Sequence, residues 1–325
     1  MKLVLHKIVI WIVTTVLMTA GSLFGTNHWD TPEKYMARID AIQSMFENTP
    51  ETAVPQTRVY SLICDHFRSP LPAGKTEKKA IVIGYDGCRA DMLGFAKDPQ
   101  QSAILTLGKE GHTVFSYCGG VNYPYVNTQA TSTAPGWCSM LTGAWADVHG
   151  IRRNYQPKSN DHLTMLTTLV QDGTIDNSAF YVSWPGHLNG RLTTYYPEKQ
   201  YVQEQGLPVT FLQAEDDDGT FSNIMNDLAQ KDCTDFIFFT FEYTDHVGHT
   251  SGFDPKNPKY EQAFYDAEAH GKMVIEQIQA RDTYETEDWL ILITTDHGGY
   301  DLNHGRCTIH ERTTFMVCNK PILGE

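Results

Sequence analysis

Two hydrophobic periods alternate along the chain. Short apolar runs at Ala80 to Tyr85, Ala179 to Trp184, Phe236 to Phe241, Leu290 to Thr294 and Thr313 to Cys318 lack a regular polar face, which predicts strands covered on both sides. Between them, apolar positions fall three and four residues apart. Ser102 to Leu107 belongs to one such helical segment, and Leu163, Leu166 and Val170 mark another, closed by Asp172-Gly173. A further helix is expected near Phe221. The longest runs from Pro258 to about Arg281, where Tyr260, Phe264, Ala267, Gly271, Val274 and Ile278 form one stripe toward the core. Strand followed by helix, repeated, predicts an α/β fold: a largely parallel central sheet with helices on both faces.

The first residues follow a different pattern. Lys2 and Lys7 flank the start of the apolar stretch Ile8 to Ala20, and the small residues Ala20, Gly21 and Ser22 suit a cleavage point. Residues 1–25 therefore read as a secretory signal peptide or, if uncut, a membrane anchor, and both imply an extracytoplasmic protein whose only membrane contact is this segment. Residues 26–78 hold a candidate helix, Thr31 to Phe46, with Thr31 as cap and Pro32 in its first turn, then a connector from Pro50 to Gly74. Residues 79–325 form the main domain. Within it, the long aromatic and polar stretch at about 186–219 reads as a cap insertion facing a substrate.

Charge narrows the partners. At 325 residues with a formal charge of -14, the chain lacks the basic surface that nucleic-acid binding requires, so no sequence-specific nucleic-acid partner is expected. A small anionic substrate remains compatible, because bound dications reverse the field locally. The acidic run Glu215 to Asp218 reads as a solvated turn ahead of a helix, since the spaced ligands of a calcium loop are missing. The seven cysteines show no CxxC spacing, and their odd count leaves at least one unpaired.

Metal chemistry is written into the second half. Asp245-His246-Val247-Gly248-His249 follows one apolar run, Asp296-His297-Gly298-Gly299 follows another, and His304-Gly305 comes soon after. Carboxylates and imidazoles suit zinc, and the C-terminal ends of parallel strands converge on one crevice. His270, by contrast, lies beside the apolar stripe of its helix and reads as a packed or solvated residue. Upstream, Thr131-Ser132-Thr133-Ala134-Pro135-Gly136-Trp137 enters a probable helix through Leu141 that ends at Thr142-Gly143. A threonine there could be an N-cap alone. With a metal site available to activate its hydroxyl, Thr133 is expected to be a nucleophile held against exposed backbone N-H groups.

These residues carry a resemblance. Asp86-Gly87-Cys88-Arg89-Ala90-Asp91, Thr133-Ala134-Pro135, Thr142-Gly143, His149-Gly150-Ile151, Trp184-Pro185-Gly186, Asp245 with His249, and Asp296-His297-Gly298 resemble the type I phosphodiesterase and nucleotide pyrophosphatase family of the alkaline phosphatase superfamily. The similarity runs in order from about Lys79 to Val317. It implies an alkaline phosphatase-like domain, two zinc ions and a covalent threonine intermediate. Carried over residue by residue, one zinc takes Asp245, His249 and His304, and the other takes Asp86, Thr133, Asp296 and His297. Asn154 matches the family's amide that hydrogen-bonds a phosphoryl oxygen. The third zinc histidine could be His304 or His310, and the His-Gly context favours His304. Ala134-Pro135-Gly136-Trp137 departs from relatives that carry an aromatic and an asparagine around the proline, which leaves substrate preference open.

The expected function is an exported two-zinc hydrolase that cleaves phosphodiesters, nucleotide or related, through Thr133. A phosphomonoesterase on the same site is the alternative. A phosphoryl-group transferase, a sulfatase and an inactive binding protein fit less well. Trp184, Tyr195 and Tyr196 could stack on a base or pack beneath the cap.

Overall fold

One eight-stranded sheet runs through the computed structural model, which describes residues 54–108, 112–121, 127–306 and 308–323. In chain order the elements are β1 (Val54–Pro55), α1 (Arg58–Arg68), β2 (Glu77–Tyr85), a 3-10 turn (Ala90–Phe95), α2 (Ala103–Gly108), β3 (His112–Tyr117), α3 (Thr133–Thr142), α4 (Ala146–His149), α5 (Met165–Gln171) and β4 (Ser178–Val182). Then follow α6 (Pro185–Leu188), α7 (Tyr196–Gln205), β5 (Val209–Gln213), α8 (Asp217–Leu228), β6 (Phe236–Phe241), α9 (Tyr243–Ser251), α10 (Pro258–Gln279), a second 3-10 turn (Tyr284–Thr286), β7 (Glu287–Thr294), α11 (Ile309–Arg312) and β8 (Thr313–Cys318).

The strand order is β1-β3-β8-β7-β2-β6-β4-β5. Every pairing is parallel except those of β8, which runs antiparallel between β3 and β7. The fold is therefore the mixed, mostly parallel α/β sheet that the alternation of strands and helices predicts. Successive side chains of a strand point to opposite faces, and the central strands feed two separate cores. Ile81, Ile83, Ile237, Phe239, Ile291 and Ile293 join the stripe of α10 on one face. Ala80, Val82, Phe236, Phe238, Leu290 and Leu292 meet α1, α3, α5 and α7 on the other. Double coverage explains why these strands read as unbroken apolar runs.

Several expectations change. The Pro50 to Gly74 connector contains β1 and the eleven-residue helix α1, whose Val59, Leu62 and Ile63 are buried in the core. Position within a Pro-bearing stretch hid an amphipathic turn. The stretch at 186–219 is not a free cap: β5 pairs with β4 as the sheet's edge and α7 buries Val202 beneath it. Packing drew it into the domain, because Phe211 and Val202 find apolar partners there. The candidate helix Thr31 to Phe46 and the signal or anchor segment lie outside the described residues. Among the described residues no helix is long and apolar enough to cross a membrane. Cys64, Cys88, Cys118, Cys138, Cys233 and Cys318 are free and buried.

Candidate active site and metal centre

The three central strands, β6, β2 and β7, end side by side, and each hands its chain to an acid: Asp245 one turn into α9, Asp86 directly after Tyr85, and Asp296 just past Thr294. Gly87 allows this crowding. Its φ of +65 is a backbone state that side chains rarely adopt, and a Cβ there would stand 2.6 Å from Asp245 Oδ1.

Two groups of ligand-type atoms result. In the outer group His249 Nε2 lies 3.3 Å from Asp245 Oδ2, His304 Nε2 lies 3.6 Å from Asp245 Oδ1, and the two Nε2 atoms are 3.0 Å apart. In the inner group Asp86, Asp245 and His297 converge, with His297 Nε2 at 3.5 Å from Asp86 Oδ1 and 3.3 Å from Asp296 Oδ2. Asp245 belongs to both, so the two candidate ligand groups adjoin. The sequence assigned it to one ion only.

The imidazoles are held in one tautomer. His249 Nδ1 donates to the Leu302 carbonyl (3.0 Å), His304 Nδ1 to the Thr131 carbonyl (3.0 Å) and His297 Nδ1 to the Gly298 carbonyl (2.8 Å). A carbonyl can only accept, so each ring carries a proton on Nδ1, and in the neutral ring this leaves the Nε2 lone pair to face the site. Burial, with His304 adding to it, pushes His297 down to about 3, and burial also lowers His304. His249 is raised by its bond to Asp245.

The acids tell the same story from the other side. Burial, then Asp296, Glu242 and Asp245, hold Asp86 well above the usual carboxylate range, and burial does the same to Asp296. For Asp245 burial works upward, but His249, His304 and His297 outweigh it and lower the group. Asp245 Oδ1, Asp296 Oδ2 and His297 Nε2 are buried without a hydrogen-bond partner. Unpaired polar atoms cost free energy, and three lone-pair donors facing one another are what a dication resolves. The donor set therefore fits a metal, and nitrogen and oxygen ligands together fit zinc.

Thr133 occupies the first residue of α3, with Ser132 before it in extended conformation, so it is not the N-cap. Its Oγ1 lies 3.5 Å from Asp86 Oδ1. Helix α3 reaches this depth because Gly136 rests on the Asp296 backbone, where a Cβ would come within 2.9 Å of the carbonyl oxygen. Asn154 Oδ1 accepts the Ala134 backbone N-H at 2.9 Å, which anchors its amide beside Thr133. His310 joins neither group. Its Nδ1 lies 2.9 Å from Arg89 Nη2 and its ring stacks on Tyr300, so His304 is the histidine that the fold brings to the centre.

Other residues escaped the sequence reading. Trp137 is fully buried, donates Nε1-H to Asp86 Oδ2 at 2.7 Å and packs edge-on against Phe238, thereby fixing the Asp86 carboxylate. Gly84 makes room for the indole, since a Cβ there would meet Trp137 at 2.5 Å. Thr131 ties the His304 loop to the Thr133 loop by accepting the Gly305 N-H (3.0 Å) and donating to the Arg306 carbonyl (2.6 Å). Tyr155 holds a positive φ of 55, is 61% exposed and stands 5.2 Å from Trp184. Of the aromatics named from sequence, Trp184 faces a cavity, Tyr195 is fully buried and Tyr196 is half-buried at the start of α7. The run Glu215 to Asp218 is not simply solvated: Asp217 is 7% exposed and accepts from Ser183 Oγ (2.6 Å) and the Glu242 N-H (2.8 Å). His270 is packed, stacking on Phe221 at 4.2 Å.

Known proteins are similar to this chain. Among solved structures, one of murine ectonucleotide pyrophosphatase/phosphodiesterase 5, an inactive form in complex with AMP, is similar at 20% identity over 68% of this chain and 57% of that one, with a TM-score of 0.47. This chain thus spans less than two thirds of that protein's length. A phosphonate monoester hydrolase of Agrobacterium radiobacter aligns at 12% identity over 74% and 68% of the two chains, with a TM-score of 0.48. A protein of glycosaminoglycan metabolism from Bacteroides thetaiotaomicron shares the fold, at 11% identity over 76% and 68%, with a TM-score of 0.51. A family model described as type I phosphodiesterase / nucleotide pyrophosphatase matches residues 80–312, from the core of β2 to the last residue of α11, and so takes in every site residue from Asp86 to His304. With its acids at the ends of β2, β6 and β7 and its threonine opening α3, this chain belongs to the type I phosphodiesterase / nucleotide pyrophosphatase family, on an alkaline phosphatase-like fold.

Proposed function

We propose that this protein is an exported phosphodiester hydrolase that works with two zinc ions and passes the phosphoryl group through Thr133. One observation carries the reading: buried, partnerless ligand atoms of Asp245, Asp296 and His297 sit in a cluster that also holds the Thr133 hydroxyl, 3.5 Å from Asp86. Asp245, His249 and His304 would hold one ion, and Asp86, Asp296, His297 and Thr133 the other. Bound zinc would supply Lewis acidity, lowering the cost of the alkoxide and of charge on the phosphoryl oxygens.

The chain's own residues do the rest. Thr133 Oγ1 forms the new bond to phosphorus as the bond to the departing alcohol breaks, and water then releases the phosphoryl group from the threonine. At the N-terminus of the ten-residue helix α3 the Ala134 N-H is taken by Asn154, Pro135 has none and the Gly136 N-H bonds to the Ser132 carbonyl, which leaves the Thr133 N-H and the helix dipole for that anion. Asn154, whose Oδ1 is committed to the Ala134 N-H, has its Nδ2 donors left for a phosphoryl oxygen. Trp137 keeps Asp86 from turning away.

Export follows from the N-terminal segment, and a mature protein without residues 1–25 is the form to assay. Elemental analysis should find close to two zinc ions, and a chelator should abolish turnover. Zinc-loaded protein should cleave bis-p-nitrophenyl phosphate faster than p-nitrophenyl phosphate. A strong preference for the monoester would replace this reading with a phosphomonoesterase, and tightly bound calcium without zinc would point to sulfatase chemistry.

A further inference from the structure

A cavity of about 570 Å³ opens from the outer ligand group, since Asp245 and His249 belong to its lining. Its other walls are aromatic and acidic: Trp184 and Tyr243 on one hand, Glu215, Asp216, Asp218 and Glu242 on the other. Among the described residues no lysine or arginine lines it. The acids are fixed in place. Asp216 caps α8 through the Gly219 N-H (2.8 Å), Asp218 accepts from the Tyr243 hydroxyl (3.1 Å), and the turn bearing Glu242 is pinned by Asp217 (2.8 Å). Trp184 is braced by the Tyr155 ring and closes over Gly186, where a Cβ would clash at 2.1 Å.

A substrate phosphorus held at the metal centre would place one of its ester groups at this cavity. A group carrying further phosphates or a carboxylate would meet like charge without a compensating cation, a cost of the kind that excludes wrong partners. An uncharged group would displace water from the exposed carboxylates of Glu215, Asp216 and Asp218 and return no positive charge to them. A cationic group satisfies both walls at once, because carboxylates pair with its charge and the faces of Trp and Tyr attract an ammonium.

We infer that the cavity between Trp184, Tyr243 and the acids of residues 215–218 and 242 is a subsite for an alkylammonium group esterified to the reacting phosphate. The inference rests on the phosphodiester hydrolase reading for its placement of phosphorus, and it narrows the substrate to zwitterionic phosphoesters over polyanionic nucleotides.

Calorimetry on the zinc-loaded protein tests the subsite without turnover. Phosphocholine should bind on the order of tenfold tighter than 3,3-dimethylbutyl phosphate, which has the same shape with carbon in place of the charged nitrogen. The double variant Glu215→Gln, Asp218→Asn should shrink that ratio toward one. Equal affinities in the unaltered protein, or a tighter uncharged ligand, would overturn the inference. Turnover separates the two readings. Faster cleavage of p-nitrophenyl phosphocholine than of p-nitrophenyl 3,3-dimethylbutyl phosphate supports both, whereas equal cleavage removes the cationic subsite and leaves the hydrolase. A calorimetric preference with neither diester cleaved removes the hydrolase and keeps the subsite. Preferential cleavage of p-nitrophenyl thymidine 5'-phosphate over p-nitrophenyl phosphocholine overturns the subsite.

Discussion

Buried acids occur in two kinds of surroundings in this molecule. Glu198, on α7, is fully buried but has donors and a cation: its Oε1 accepts from the Thr164 N-H (2.9 Å), Thr164 Oγ1 (2.7 Å) and Thr167 Oγ1 (2.6 Å), while Oε2, without a hydrogen bond, lies 2.8 Å from the ammonium of the buried Lys158. The acids at the strand ends receive far less. Asp296 gets one N-H from Gly87 on Oδ1 and nothing on Oδ2, and Asp245 Oδ1 has no partner. Glu198, Asp86 and Asp296 are equally sheltered, so burial alone does not mark a site. What sets the strand-end acids apart is that Asp245 Oδ1 and Asp296 Oδ2 have neither a hydrogen bond nor a lysine or arginine among the described residues, an arrangement that fits an ion.

The largest effect that would test this contrast lies at Thr133. Thr133→Ala should fold and keep most of its metal, yet turn over more slowly by a factor on the order of a thousand or more. Thr133→Ser should retain measurable activity, and an acid quench should trap label on the peptide containing Thr133. Near-normal turnover by the alanine variant would remove the covalent route. At the paired acid the effect should be on stability instead. Lys158→Met strands Glu198 and should cost about 3–5 kcal/mol in urea unfolding, much of it recovered when Glu198→Leu is added. A small loss in the single variant would mean that Glu198 does not need its lysine.

Glu268 sharpens the comparison because it has donors but no cation. Tyr85 (2.9 Å), Ser102 and the Ile104 N-H reach it, yet burial pushes it up to about 7. The folded state thus binds this proton more tightly than the unfolded chain, so stability should fall as pH rises from about 4.5 to 7 and level off above, by about 3 kcal/mol from this group. Comparing unfolding at pH 5 and pH 8 for wild type and Glu268→Gln isolates its share of the slope, and an unchanged slope would contradict the assignment.

Smaller effects separate the histidines. His304→Ala should raise the zinc needed for half-maximal activity on the order of 100-fold, whereas His310→Ala, paired with Arg89, should stay below about 10-fold. The reverse ranking in a metal titration would move the ligand to His310. Smallest, and opposite in sign, Asp296→Asn should stabilise the metal-free protein at pH 8 by about 1 kcal/mol while abolishing activity of the loaded form. Thermal melts with and without zinc check it, and destabilisation in both states would show that the carboxylate is structurally paired after all.

Much of this was readable before folding because it lies in local pattern. The runs Phe236 to Phe241 and Thr313 to Cys318 coincide with β6 and β8, and the acids that follow apolar runs do converge. What escaped depends on distant partners. β3 reads His-Thr-Val-Phe-Ser-Tyr, half polar, and is buried only because β8 and β1 flank it, with Ser116 bonded to Thr314. β5 alternates exposed and buried residues at an edge, and its aromatic neighbours gave it the look of a loop. The four-residue spacing of Asp245 and His249 did signal a helix face, yet the glycine and polar residues of α9 masked it. Nothing local could show that Trp137 reaches Asp86 or that Tyr155 leans on Trp184.

The position of β2 at the middle of the sheet has a consequence for synthesis. Its two hydrogen-bonding neighbours, β6 and β7, begin at Phe236 and Glu287, so a strand whose apolar run Ala80 to Ile83 is fully buried in the folded protein emerges long before either edge can be covered. At roughly 5–20 residues per second, about 150 residues before β6 and about 200 before β7 leave the two edges open for about 8–30 and about 10–40 seconds. An uncovered apolar strand is a template for association with other chains, and distant pairing closes slowly. Nascent chains of this protein should therefore depend on a holding chaperone until β6 is made, and truncations that stop between β2 and β6 should aggregate.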